Sequence, residues 1–302
     1  MIIRSFSSQD KAQAARLFHL SFEEETLLEL LQDNKCEFAF SAEVQGKLAA
    51  VLFGWKSRFH PHCTYIKTVS DPELADDESL SSLLAEADRY EALSYPLQTS
   101  IWETAPGLKS VYTGNGFTEI RRTYMPELLL SHVPLEEPPE KRLDGQAVQS
   151  IAELSEDARM QVVSLAKRIY EETHQVNPPA DRSVSEWEQV VFAEDTIEDG
   201  SFVWMDTKAD EIIAYSFLHT SEKVGAYELG WCGYIKEADP SILSELVRHQ
   251  LYYAAIHHIH TLIGEFDTTD PYATEVLKRF PFAPCATLIT YQKKVVPLKV
   301  FE

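Results

Sequence analysis

Hydrophobic and polar positions change their period repeatedly along this chain, and the changes mark out its elements. Alternation over Ile2–Phe6 predicts a short strand. Cap-type residues Ser8, Gln9 and Asp10 then precede apolar positions Ala14, Leu17, Phe18 and Phe22, which share one helical face. Phe38–Val44 and Leu48–Trp55 read as two strands joined at Gln45-Gly46, a hairpin by length and turn chemistry. A strand over Cys63–Val69, a helix from about Ser79 to Leu93, a strand over Leu97–Trp102, a short helix over Leu108–Thr113 and a strand over Glu119–Leu128 follow. Proline and charge dominate 131–143, where little can be buried, so this stretch reads as a linker.

The same order then recurs. Ala147–Leu154 reads as a strand, Asp157–Thr173 as a helix, and Ser183–Phe192 as a second helix opened by a capping-box pattern, Ser183 with Glu186. A hairpin over Phe202–Met205 and Ile212–His219, a strand over Tyr227–Ile235, a long helix over Pro240–His257 and a strand over Thr261–Phe266 come next. A helix at 271–279 and a strand at about 286–294 end the series. One shift of 165 residues carries Pro106 onto Pro271, Phe117 onto Phe282, Leu97 onto Leu262, Ile101 onto Phe266, Ala49 onto Ala214 and Leu52 onto Phe217. A fixed period of domain length predicts two tandem copies of one α/β fold. The expected division is 1–130, the linker 131–143, and 144–302.

Composition narrows the function. The 302 residues carry 27 Lys and Arg against 48 Asp and Glu, a formal charge of −21. That balance opposes nucleic acid and anionic membrane surfaces, both of which need clustered cations. It suits solubility, or a cationic substrate such as an amine. No apolar run approaches the ~20 residues of a membrane span, and Met1–Phe6 opens no signal-peptide core. Cys36, Cys63, Cys232 and Cys285 are scattered, which suits a reducing cytoplasm.

The order of elements, together with the segment before each final strand, resembles the GNAT superfamily of acetyl-CoA-dependent N-acyltransferases. Val111-Tyr112-Thr113-Gly114-Asn115-Gly116-Phe117 is similar to that family's last helix and turn, and Leu277–Phe282 is a weaker form. Glu228–Ile235 with the helix behind it resembles the family's strand-then-helix run, and Phe266-Asp267-Thr268-Thr269-Asp270 its Thr-x-Asn-type segment. The resemblance implies two tandem GNAT-like domains, each a mixed, mostly antiparallel sheet flanked by helices. It implies an N-acyltransferase with acetyl-CoA as co-substrate, no metal, and a small-molecule or peptide amine as acceptor.

One departure stands out. The family's glycine-rich loop, whose backbone N–H groups grip the pyrophosphate, is missing from both halves. The first offers five carboxylates within Ser70–Glu78, the second Ile235-Lys236-Glu237-Ala238-Asp239-Pro240. In the second half the free N–H groups of Ser241, Ile242 and Leu243 could still meet a phosphate, with Tyr234, Ile235 and Lys236 leading to them. By the resemblance Glu228 is the candidate base, its pKa expected to rise within an apolar run. Tyr112 holds the family's thiolate-protonating position, its counterpart is Leu277, and Tyr272 could substitute. His60-Pro61-His62-Cys63 is a weak metal pattern. The reading this favours is acyl transfer in the C-terminal half. The alternatives are a non-catalytic binding or scaffold protein that has lost the loop, and a homo-oligomer formed through an exposed sheet edge.

Overall fold

The computed structural model describes residues 1–302 except 22, 24, 34, 91, 139–144 and 295–302. In chain order its elements are β1 (Ile2–Ser5), α1 (Lys11–Ser21), α2 (Glu25–Gln32), β2 (Phe38–Val44), β3 (Lys47–Trp55), β4 (Thr64–Ser70), α3 (Asp77–Asp88), β5 (Leu97–Trp102), α4 (Pro106–Gly114), β6 (Thr118–Tyr124) and β7 (Glu127–Leu129). There follow β8 (Gln146–Ser150), α5 (Glu156–Thr173), α6 (Val184–Val191), β9 (Phe202–Asp206), β10 (Glu211–Thr220), β11 (Ala226–Tyr234), α7 (Ser241–Ile256), β12 (Thr261–Gly264), β13 (Phe266–Asp267), α8 (Pro271–Arg279) and β14 (Thr287–Lys293). Of the linker expected over 131–143, residues 139–143 lie outside the described residues.

The chain forms two compact units. Among the described residues the first holds 1–121, 176–180 and 288–294; the second holds 122–138, 145–175 and 181–287. In the first unit the strand order is β1-β2-β3-β4-β5-β14-β6. β4 and β5 are parallel and the other registers given for this sheet are antiparallel. The β2–β3 hairpin closes on Gln45 and Gly46, both at positive φ, the conformation a two-residue turn requires. Leu17, Phe18 and Leu31 bury one face of the sheet with Val51 and Phe53. Leu83, Val111 and Tyr112 bury the other with Leu52, Ile66, Leu97 and Ile289.

The second unit repeats the plan. Its sheet runs β8-β9-β10-β11-β12-β7, with β11 and β12 parallel. Leu243, Val247 and Leu251 of α7 and Val276 of α8 pack with Leu218, Leu229 and Cys232 on one face. Helices α5 and α6 lie on the other, where Tyr170, Trp187 and Trp231 form one aromatic cluster. The capping box expected at Ser183 and Glu186 is formed.

Four features differ from the sequence reading, the first being that the strand expected over Thr261–Phe266 is two short strands, β12 and β13. Helix α2 was not expected; Glu25–Gln32 is only two turns long, and it packs Leu31 with the partly buried Leu27, Leu28 and Leu30 against the core of the first unit. The strand expected over Glu119–Leu128 is two strands, parted at Met125-Pro126, where proline has no N–H to give a ladder. The pairing of the last strand also differs. β14, which the repeat assigns to the second copy, runs antiparallel to β5 from Leu288↔Trp102 to Lys293↔Leu97 and belongs to the first unit. In the second unit β7 stands beside β12, pairing Leu129 with Thr261. Each unit therefore takes its closing strand from the other half of the sequence.

Candidate functional site

In both sheets a parallel pair comes apart. In the second unit β11 pairs with β12 only from Ala226↔Thr261 to Leu229↔Gly264, yet β11 runs on to Tyr234. The register with β12 thus ends before Gly230, while Cys232, Gly233 and Tyr234 stay paired with β10 on the other side. At the parting point β11 bulges: between Ser216↔Cys232 and Leu218↔Leu229, Phe217 alone faces Gly230 and Trp231. A bulge increases local twist and turns the strand away from its neighbour. Beyond it a cavity of about 220 Å³ opens, lined by Tyr234, Ile235, Lys236 and Glu237 at the end of β11, Arg168 and Glu172 of α5, Glu211, and Tyr272 of α8. The structure brings together three of the residues expected along a cofactor path, Tyr234, Ile235 and Lys236, with the candidate acid Tyr272. Tyr234 and Tyr272 meet edge to face at 4.8 Å. Burial, with Glu172 close by, pushes the Tyr272 hydroxyl pKa above its ordinary value.

The start of α7 differs from expectation. The N–H of Ser241 donates to Asp239 Oδ1 at 2.8 Å, that of Ile242 to the Asp239 carbonyl at 3.1 Å, and that of Leu243 to the Pro240 carbonyl at 3.3 Å. The three donors expected to be free for a phosphate are thus engaged within their own turn. The backbone amide of Ser241 lowers the Asp239 carboxyl pKa. In the first unit Asp76 does the same for α3, accepting from the N–H of Ser79 at 2.8 Å and from its hydroxyl at 2.5 Å. A carboxylate at a helix start answers the same positive end of the dipole that a phosphate would.

Glu228 is exposed and accepts a hydrogen bond from the Ser221 hydroxyl at 2.7 Å. The apolar surroundings expected for it are not there, because its side chain and those of its apolar neighbours leave β11 on opposite faces. Asp270 is the carboxylate the sequence reading passed over. It caps α8, accepting from the N–H groups of Tyr272 and Ala273 at 2.8 and 3.0 Å. Burial pushes its pKa up to about 6 despite those bonds. The signal was available: an Asp before Pro271 is a helix-start pattern, and it falls at the end of the Thr-x-Asn-type segment.

The corresponding parting in the first unit is filled. β4 pairs with β5 only at Thr64↔Leu97 and Tyr65↔Gln98. Beyond this the Tyr112 hydroxyl and Thr68 Oγ1 share a hydrogen bond at 2.9 Å, and Tyr112 is only 1% exposed. Lys67 Nζ donates to the Ser100 carbonyl at 3.3 Å and pairs with Glu23 at 2.7 Å. Among the described residues no group of three or more His, Cys, Asp or Glu is arranged to hold a metal, and no helix is long and apolar enough to cross a membrane.

No family model and no curated protein matches the sequence. Solved structures do match along nearly the whole chain. A GCN5-related N-acetyltransferase from Sphaerobacter thermophilus superposes with a TM-score of 0.63 at 14% identity, covering 98% of this chain and 96% of its own. A tandem GNAT protein from the clavulanic acid biosynthesis pathway gives 0.59 at 13% identity, covering 98% and 99%. An acetyltransferase of the GNAT family from Colwellia psychrerythraea gives 0.56 at 11% identity, covering 97% and 100%. At such identities the likeness is one of fold. With the two mixed sheets and their parted parallel pairs, it makes this chain a tandem of two GNAT folds.

Proposed function

We propose that the second unit is an N-acyltransferase that passes an acetyl or other acyl group from CoA to a primary amine. The observation that carries this reading is the edge of β11 from Gly230 to Tyr234, which runs on past its last pair with β12 beside the 220 Å³ cavity. An extended arm bearing amide groups can lie against such an edge as a further strand would, held by main-chain hydrogen bonds. The pantetheine arm of CoA has that chemistry. Lys236 and Arg168 are the cations lining the cavity for its phosphates, and Tyr272 supplies a proton for the departing thiolate. CoA itself brings the activated thioester; the protein's part is to align it with the amine and exclude water. Glu172, Glu211 and Glu237 on the cavity wall favour a cationic acceptor, as does the charge of −21. Glu228, on the α5 and α6 side of β11, adds to that field. The first unit, with Tyr112 sealed and Lys67 bridged to Ser100, serves as the structural partner.

One observation favours a second reading. Asp239 stands where the family places phosphate-binding amides, so both helix starts satisfy themselves. A GNAT fold that binds a ligand without catalysis fits that feature. Isothermal titration with acetyl-CoA separates the two. The acyltransferase reading expects saturable heat at micromolar to low millimolar ligand, followed by thiol release when an amine is added. No heat at millimolar acetyl-CoA removes it and leaves the binding protein.

A further inference from the structure

Opposite the parting of β11 and β12 lies a group that the sequence did not single out. His219, on β10, faces Glu228 across the β10–β11 pair. Its Nδ1 lies 3.4 Å from Asp195 Oδ2 and 3.4 Å from Thr196 Oγ1. The turn carrying these two is pinned to β10: the N–H of Thr220 donates to the Asp195 carbonyl at 2.9 Å, and Thr196 forms an isolated bridge with His219. Nε2 points the other way, over Gly230, where an added Cβ would stand 2.3 Å from it. Gly230 is the first residue of β11 past its last β12 pair and sits in the bulge. The missing side chain is what lets the ring reach that point. If the phosphates of a CoA lie toward Lys236 and α7, its thioester end runs back along β11 toward this place.

We propose that His219 is the general base of the acyl transfer, taking the acceptor's proton on Nε2 while Asp195 holds Nδ1 and Glu228 steadies the resulting imidazolium. This rests on the acyltransferase reading. The cationic acceptor first gives one proton to solvent, and the freed amine lone pair forms the C–N bond at the thioester carbonyl carbon. The N–H electrons stay on nitrogen and the proton goes to Nε2. The C–S bond breaks with its electrons on sulfur, and Tyr272 returns a proton to the thiolate. Solvent then carries the proton from His219 back to Tyr272, so no oxidant or further reactant is needed. A neutral imidazole with Nδ1–H aimed at a carboxylate has its lone pair on Nε2, the tautomer this role needs. The charged groups facing the ring are Asp195 from the turn before β9 and Glu228 from β11. Both pull its pKa up, but burial outweighs them and leaves it below the ordinary histidine value, so the base form is present at neutral pH. Asp195 acts through His219 and is a positioning residue.

The test uses the full chain, acetyl-CoA, and propylamine, benzylamine and putrescine as acceptor probes, with thiol release as readout. H219Q should bind acetyl-CoA calorimetrically as the wild type does and lose about 10²–10⁴-fold in kcat. D195N keeps a surface position filled and should fold. It should lose less, and its acidic limb should move to lower pH, because an upward pull on the imidazole is gone. Wild-type transfer that persists in H219Q, or an acidic limb that D195N leaves in place, overturns the base and spares the acyltransferase. Failure of the wild type to bind or turn over acetyl-CoA removes the acyltransferase, and the base with it.

Discussion

The carboxylate of Asp239 accepts the amide N–H of Ser241 at 2.8 Å, at the start of α7 where the proposed acyltransferase reading would put a phosphate oxygen. The contact is local and solvent-exposed, and it competes directly with any anion for one donor. Replacing Asp239 with Ala frees that donor and removes a negative charge. Acetyl-CoA affinity should rise severalfold in D239A, measured by calorimetry, while D239E should leave it unchanged or weaker. Equal affinity in D239A and wild type would mean that the phosphates are held elsewhere.

Asp270 should make the second unit's stability depend on pH. Its folded pKa of about 6 lies above the unfolded carboxylate value, so the charged form is disfavoured by folding. The resulting penalty is absent below the unfolded pKa, near 4, and grows until pH passes about 6. Asn at this position accepts the same N–H groups without the charge. D270N should therefore be more stable than wild type by about 2 kcal/mol at pH 7.5, and no more stable at pH 4. Urea unfolding at the two pH values reads the difference.

Arg4 and Asp10 give the opposite sign in the first unit. The guanidinium meets both carboxylate oxygens at 2.7 Å, and Ser7 adds its N–H at 2.8 Å. Asp10 is buried, and these bonds, the one from Arg4 foremost, hold its pKa below the usual carboxylate range. This contribution is present above the unfolded pKa and is lost as pH falls through the lowered folded one. R4M leaves the carboxylate buried without its charge partner and should cost about 2–3 kcal/mol at pH 7. The loss should shrink as pH is taken below 4. A loss that stays constant over that range would show that the pair contributes by packing alone.

Tyr112 tests the division of labour between the units. Its hydroxyl meets Thr68 inside a closed core, so Y112F removes one buried hydrogen bond and should cost about 1 kcal/mol. Turnover should be unchanged, whereas Y272F should lower kcat at least tenfold with little change in acetyl-CoA affinity. Loss of turnover in Y112F at full stability would move the chemistry to the first unit.

Much of the architecture is written locally. The hairpin at Gln45-Gly46, the capping box at Ser183 and Glu186, and the apolar faces of α1, α5 and α7 are set by neighbours within a few residues. The apolar pattern over Tyr227–Ile235 and Pro240–His257 likewise places Tyr234, Ile235 and Lys236 at the end of a strand and before a long helix, and that is where they stand. Element type and order need no more than periodicity and turn chemistry.

Other choices are made between residues far apart in the chain. Periodicity assigns Thr287–Lys293 to a strand, but pairing energy is indifferent to which copy supplies the neighbour, and here β5 is that neighbour. The amides of Ser241, Ile242 and Leu243 are donors in any sequence; whether a carboxylate two residues away turns back to take one depends on how Pro240 sets the turn. Glu228 and His219 belong to strands that look unremarkable singly; strand pairing sets them opposite each other, and the missing side chain at Gly230 leaves room for the His219 ring over β11. The sequence alone settled most of the elements and their order, though not α2 or the break between β6 and β7. Folding settled which strand closes each sheet, which helix start is already answered, and which imidazole lies over Gly230, because these depend on distances that no local pattern contains.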